Sequence, residues 1–140
     1  MDQRSIFGPF LSLMLLTLLV WTYLFARRIP FILKSKLTPE QFAPLEFTRL
    51  SPPGVRNPSD NLKNLFEIPT LFYALCLYLF VISRVDGVYV AVAWVFVVFR
   101  GLHSAVHNTF NNVNVRFMLY AASTLAFWFM LARASLSAFL

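Results

Sequence analysis

Charged residues and cysteines are scarce in this sequence, and both shortages restrict what the protein can be. Asp, Glu, Lys and Arg together make up 13% of the 140 residues, whereas hydrophobic residues make up 59%. Ordinary soluble proteins contain about 25% charged and about 45–50% apolar residues. The single cysteine, Cys76, lies within an apolar run and has no partner for a disulfide. The composition therefore indicates one small integral membrane domain over residues 1–140, without a disulfide framework.

Acidic residues are also few, and the resulting net charge is +6. A basic balance can indicate binding to nucleic acid, but here much of the basic charge is confined to residues 27–60. The basic residues of this segment are Arg27, Arg28, Lys34, Lys36, Arg49 and Arg56. Such a concentration in one segment is typical of a cytoplasmic loop of a membrane protein. We therefore expect residues 27–60 to form a cytoplasmic loop, with a short helix at Pro39–Phe42 capped by Thr38. We expect no nucleic acid among the partners.

Four apolar segments are long enough to cross a bilayer, since about 20 helical residues span its hydrocarbon core. We expect transmembrane helices over residues 6–26, 61–82, 88–107 and 115–134. The first segment is too long for the apolar core of a signal peptide, so we expect it to be retained. With the 27–60 loop in the cytoplasm, both termini lie outside and the Asn-rich turn 108–114 lies inside. Asn114 is expected to cap the fourth helix.

One face of the third helix is polar at its cytoplasmic end. Arg100, His103 and His107 stand at positions i, i+3 and i+7, which share one face of a helix. Arg116 and Tyr120 lie one turn apart near the start of the fourth helix. An arginine within the bilayer is costly unless it faces a bundle interior with partners, so this polar face is a candidate functional site.

The start of the second helix adds further polar residues at the same depth in the membrane. Lys63, Asn64 and Glu67 precede its apolar run, and the topology brings them to the end of the third helix. We expect Glu67 to form an ion pair with Arg100 across these two helices. We also expect Pro69 to kink the second helix just beyond Glu67, because proline cannot donate a helical hydrogen bond.

These residues resemble those of the MAPEG family, the membrane-associated proteins in eicosanoid and glutathione metabolism. The resemblance is nearest to the branch that contains microsomal prostaglandin E synthase. Two blocks carry it, namely Lys63 followed by Asn64-Leu-Phe-Glu67, and Arg100-x-x-His103-x-x-x-His107 followed by Arg116 and Tyr120. Together with the four expected spans and the long first loop, the resemblance covers essentially the whole chain.

The resemblance implies an all-α bundle of four transmembrane helices that assembles as a homotrimer. It implies glutathione bound between subunits near the cytoplasmic face, and a transferase- or peroxidase-like reaction on a hydrophobic small molecule or lipid. Arg116 and Tyr120 would be catalytic. The residues that would bind glutathione are Lys63, Asn64, Glu67, Arg100, His103 and His107. The chain departs from that branch at His107, where tyrosine is usual, and at Phe117, where a small hydroxyl residue is usual.

The residue types suit this chemistry. Arginines bind carboxylates through paired hydrogen bonds, and an acidic side chain binds an amine. A thiol is mostly protonated at neutral pH, and a guanidinium fixed beside it favours the ionised form. We therefore expect Arg116 to activate the thiol and Arg100 to hold a carboxylate.

Two other classes of function remain open. A non-catalytic membrane scaffold that binds a lipid or other ligand would use the same fold. A metal site would use His103 and His107 with Glu67 as a third ligand. The metal site is the weaker alternative, because neighbouring arginines repel a cation and the catalytic glutamate of an H-E-x-x-H motif is missing.

Overall fold

Four long helical segments dominate the computed structural model, which describes residues 2–139. The helices are α1 (Phe7–Ser35), α2 (Pro44–Leu50), α3 (Pro53–Leu65), α4 (Ile68–Val81), α5 (Gly87–Asn108) and α6 (Val113–Phe139). Short 3-10 turns at Gln3–Ile6 and Pro39–Phe42 precede α1 and α2. No strand occurs within residues 2–139.

Four segments are long and apolar enough to cross a membrane. They are Gln3–Ser35, Pro53–Val81, Gly87–Asn108 and Val113–Phe139. The second of these contains both α3 and α4. The prediction of an all-α protein with four candidate transmembrane helices is therefore confirmed.

The helical segments extend further than predicted, chiefly into residues 27–60. α1 continues to Ser35 instead of ending near residue 26. Pro30 lies inside this helix and removes one helical hydrogen bond, but the helix does not end there. α3 begins at Pro53 instead of residue 61, with proline in the first turn, where a missing N–H is tolerated. The prediction that residues 27–60 form a loop is therefore largely wrong. These residues contain mainly helix, and Arg28 packs over the ring of Phe47, 4.5 Å from its centroid.

A break divides the second candidate span. Glu67 has φ −90° and ψ −106°, outside the helical region, and α4 begins at the next residue. Pro69 stands in the first turn of α4, where it has no N–H to donate to the end of α3. The predicted disruption near Glu67 and Pro69 is confirmed.

The core lies between α1, α4, α5 and α6 and is rich in aromatic rings. Phe72 of α4 stacks on Phe96 of α5 with ring centroids 4.5 Å apart, and Phe96 in turn contacts Phe127 of α6 at 6.3 Å. Cys76 is buried in this core as a free thiol. Close packing of this kind holds membrane helices together by van der Waals contact.

The two ends of the bundle differ in their polar groups. At one end, which we call the capped end, the side chain of Gln3 both donates to and accepts from the backbone of Val85, at 3.1 and 2.8 Å. Asp86 caps α5 there and pairs with Arg133 of α6. The other end, which we call the site end, contains Asn61, Arg100 and Arg116.

Candidate functional site

The inner face of α5 carries Arg100, His103 and His107, the three side chains whose i, i+3, i+7 spacing predicted a shared face. Arg100, His103 and His107 are 0%, 2% and 3% exposed. The Arg100 guanidinium lies over the ring of Tyr120, with Cζ 4.7 Å from the centroid. None of its three nitrogens has a hydrogen-bond partner within residues 2–139. A buried cation with unused donors is costly, and an anionic ligand would supply the acceptors that it lacks.

The two histidines also keep polar atoms free. His103 Nδ1 lies 3.0 Å from the backbone oxygen of Arg116. Because a carbonyl oxygen only accepts, Nδ1 carries the hydrogen and Nε2 of the neutral ring is an acceptor. His103 Nε2 is buried without a hydrogen-bond partner in the described part of the chain, and so is His107 Nδ1. The two rings meet edge to face, 5.6 Å apart.

Arg116 lies in the first turn of α6, and the turn before the helix holds it in place. Its Nη1 donates to Oδ1 of Asn111 at 2.6 Å. Oδ1 of Asn112 accepts from the backbone N–H of Val115 and so caps the helix. The prediction that Asn114 is the cap is wrong, because α6 begins at Val113 and Asn114 already lies within its first turn.

Four of the predicted site residues line one cavity at the site end. The cavity has a volume of about 210 Å³, and its lining residues are Asn64, His103, Val113, Arg116, Phe117 and Tyr120. Arg100 and His107 are not among the lining residues, but each contacts one of them: Arg100 lies over the ring of Tyr120, and the ring of His107 meets that of His103. Arginine, imidazole, amide and phenol groups therefore meet beside exposed apolar side chains, since Val113 and Phe117 are 62% and 64% exposed.

Two predicted site residues lie outside this cavity. Lys63 is exposed and pairs with Asp60 of the same helix at 3.1 Å. Glu67 is exposed at the break between α3 and α4, and it forms no ion pair with Arg100 within the described chain. The predicted Glu67–Arg100 ion pair is therefore wrong for this chain.

One buried polar contact at the site end was not predicted. Asn61 is fully buried, and its Oδ1 accepts from the hydroxyl of Ser104 at 3.1 Å, linking α3 to α5. Its Nδ2 has no partner among the described residues. A sequence signal existed, because Asn61 precedes buried Leu65 by one helical turn and therefore shares its face.

A larger cavity, of about 430 Å³, lies between α4 and α6 away from these residues. Apolar side chains such as Leu71, Leu75 and Leu131 form most of its wall, and no charged residue lines it. Its polar side chains are the hydroxyls of Tyr78 and Ser135, and no histidine, cysteine or charged residue stands beside them in the lining.

The structure does not support the alternative of a metal site. Within residues 2–139, no three His, Cys, Asp or Glu side chains lie close enough together to hold a metal ion. His103 and His107 are neighbours, but Glu67 does not join them as a third ligand. The charged groups beside the two histidines include Arg100 and Arg116, which repel cations.

Four apolar helices around a buried cluster of arginine, histidine and asparagine define the chain as an integral membrane protein. The model of the MAPEG family matches residues 6–136, and the chain belongs to this family. The family includes glutathione-dependent transferases and synthases. Searches of curated proteins and of solved structures found no significant match. The family match does not separate its branches, so the nearer resemblance to the microsomal prostaglandin E synthase branch stays a prediction.

Proposed function

We propose that this protein is a glutathione-dependent membrane enzyme, transferase- or peroxidase-like, that acts on a hydrophobic electrophile. The observation that carries this proposal is the state of Arg100. Its side chain is fully buried in a candidate transmembrane helix, and its three nitrogens have no hydrogen-bond partner within the described chain. A guanidinium in that position is strongly unfavourable without an anion, and a ligand carboxylate supplies paired acceptors.

The residues present fit glutathione, which has two carboxylates, one amine and one thiol. Arg100 would bind one carboxylate, while His103 Nε2 and the amide of Asn64 offer further hydrogen bonds. Lys63 and Glu67 flank Asn64 at the break, where they would bind a second carboxylate and the amine. Glutathione, when bound, would supply the thiol that attacks the electrophile.

Arg116 is the residue best placed to favour the ionised thiol. It is half-buried, lines the cavity and stands in the first turn of α6, where the helix dipole also favours an anion. Tyr120 lines the same cavity, and its phenol can donate a hydrogen bond to substrate or thiol. Exposed Val113 and Phe117 border the cavity, so an apolar substrate can reach it from the bilayer.

We also propose that a homotrimer completes the site and that the site faces the cytoplasm, with both termini on the other side. The cavity of about 210 Å³ is small for a ligand pocket, since such pockets usually measure about 300–1,000 Å³. A neighbouring copy would supply the missing wall. The basic residues within 27–60 support the orientation.

Binding of glutathione to the detergent-purified protein tests this proposal directly. Calorimetry should detect binding to the wild type, and Arg100→Ala should weaken it by on the order of tenfold or more, because a charge-assisted hydrogen bond is lost. Arg49→Ala is the matched control, since its side chain is 81% exposed and distant in sequence from the site. Equal affinity of the Arg100 and Arg49 variants, or no binding by the wild type, would refute the proposal.

A further inference from the structure

The turn between α5 and α6 places an asparagine side chain on Arg116. Asn111 has φ 46°, in the left-handed region that asparagine tolerates better than most residues. Its backbone N–H donates to the carbonyl of Val106 at 2.8 Å and so closes the end of α5. Its side-chain oxygen accepts from Arg116 Nη1 at 2.6 Å. Asn111 therefore links the end of α5 to Arg116 in the first turn of α6.

Arg116 is held at two points. His103 Nδ1 donates to its backbone oxygen, and Asn111 accepts from its guanidinium. Within residues 2–139, no other side chain accepts a hydrogen bond from this guanidinium. A free arginine side chain is long and flexible, so a single short hydrogen bond restricts where its charge lies.

The chemical nature of the acceptor matters as much as its position. Asn111 offers a neutral amide oxygen, which orients the guanidinium but leaves its charge uncompensated. Arg133, in contrast, donates two hydrogen bonds to the carboxylate of Asp86, which compensates its charge. An arginine that must stabilise a ligand anion needs a neutral partner such as Asn111, because a carboxylate partner would already compensate its charge.

We propose that Asn111 is a positioning residue, whose neutral side chain holds the Arg116 guanidinium at the cavity with its full charge available to a ligand anion. This inference rests on the proposed function for the role of Arg116 in catalysis. The contact itself can be tested independently.

Other ionisable groups lie at the same end of the bundle as Arg116. Those of α5 and α6 are Arg100, His103, His107 and Tyr120, and those of α3 and the break are Asp60, Lys63 and Glu67. A change confined to position 111 leaves all of these side chains in place, so each variant is compared with the wild type over the full pH range.

Asn111→Gly is the first variant, because glycine keeps the left-handed backbone and removes only the side chain. Asn112→Gly is its matched control, since it makes the same change at the next residue and glycine is also tolerated at a helix cap. The readout is the rate at which phenylglyoxal modifies Arg116, followed by peptide mass spectrometry. Release of the guanidinium should raise this rate severalfold in Asn111→Gly and leave it near the wild-type rate in Asn112→Gly.

The same two variants are then assayed for conjugation of a hydrophobic electrophile to glutathione. Asn111→Gly should lower kcat about tenfold, because misplacing a catalytic group by about 1 Å costs much of its effect. KM for glutathione should change little, since Arg100 is untouched. Asn112→Gly should leave both constants close to those of the wild type.

Asn111→Asp separates positioning from simple structural support. Aspartate can keep the hydrogen bond but adds a negative charge beside Arg116, so the guanidinium no longer favours the ionised thiol as strongly. The pKa of bound glutathione, followed by ultraviolet thiolate absorbance, should rise by roughly one unit. The pH–rate profile should move to higher pH by a similar amount.

The outcomes divide clearly. Equal modification rates of Arg116 in the wild type and Asn111→Gly, or equal losses in Asn111→Gly and Asn112→Gly, would overturn the inference and leave Asn111 as a turn residue only. An unshifted thiol pKa in Asn111→Asp would overturn the part that concerns charge. Wild-type protein without conjugating activity would overturn the proposed function, whereas the modification rates would still decide whether Asn111 holds Arg116.

Discussion

Arginines occur at both ends of this helix bundle, and their surroundings are opposite. At the capped end, Arg133 donates to both oxygens of Asp86, at 2.8 and 2.6 Å, and its Cζ lies 4.3 Å from the ring centroid of Tyr89. At the site end, Arg100 also lies over a tyrosine ring, but it has no hydrogen-bond partner in the described chain. A paired arginine joins helices, whereas an unpaired buried one has donors left for a ligand.

Burial differs between the two ends as well. The side chains of Arg133 and Asp86 are 34% and 45% exposed, so their ion pair loses only part of its hydration. Arg100 is 0% exposed and therefore loses all of it. Without a ligand, replacing Arg100 by an apolar residue should make the folded protein more stable, whereas the same change at Arg133 should not.

Replacement of the site-end arginine at the cavity should have the largest effect. Arg116→Ala should lower the conjugation rate at neutral pH by on the order of 100-fold, because the cation that favours the ionised thiol is removed. Glutathione affinity should stay within a few-fold of the wild type. A higher assay pH should restore part of the rate, since solution then supplies the ionised thiol. Binding without turnover in the wild type would instead favour the ligand-binding scaffold.

Arg100→Met should affect binding and stability in opposite directions. Methionine fills similar space without a charge, so the unliganded protein should unfold in detergent titrations with a free energy higher by about 1 kcal/mol. Glutathione binding, measured by calorimetry, should be lost. A variant that is clearly less stable than the wild type would mean that Arg100 serves structure, as Arg133 does.

Arg133→Met, the same change at the capped end, should have the opposite effect on stability. It removes a half-exposed ion pair and a ring contact, so the free energy of unfolding should fall by about 1 kcal/mol. Glutathione affinity should be unchanged. An increase in stability, as expected for Arg100→Met, would remove the distinction between the two ends.

Low pH should abolish the difference in stability between the wild type and Arg133→Met. Its hydrogen bonds hold the pKa of Asp86 at about 2, below the ordinary value of 3.8. Because the pKa is lower in the folded protein, the stabilisation is present above pH 3.8 and disappears as the pH falls through about 2. The unfolding midpoints of wild type and Arg133→Met should therefore differ at pH 7 and converge below pH 2. A difference that persists well below pH 2 would show that the ring contact with Tyr89 dominates.

The ends of α1 and α3 differ from the positions that the sequence indicates. α1 and α3 both run into residues 27–60, where several prolines suggested a loop. Proline breaks a helix only where its missing N–H and its ring conflict with the preceding turn. Pro53 lies in a first turn, where no such conflict arises, and α1 accommodates Pro30. The short helix expected at Pro39–Phe42 is present with Thr38 as its cap, and packing of the basic segment, including Arg28 on Phe47, supports helix over most of the rest.

The four apolar helices and the shared face of Arg100, His103 and His107 can be predicted from the amino-acid sequence alone. Both follow from local periodicity, since helix length must match the bilayer and positions i, i+3 and i+7 always fall together. Which polar groups find hydrogen-bond partners depends on how the helices are connected and packed. Backbone dihedral angles at one break turn Glu67 outward, and those at one turn bring Asn111 onto Arg116. Such contacts depend on the path of the chain between helices, which helical periodicity does not encode.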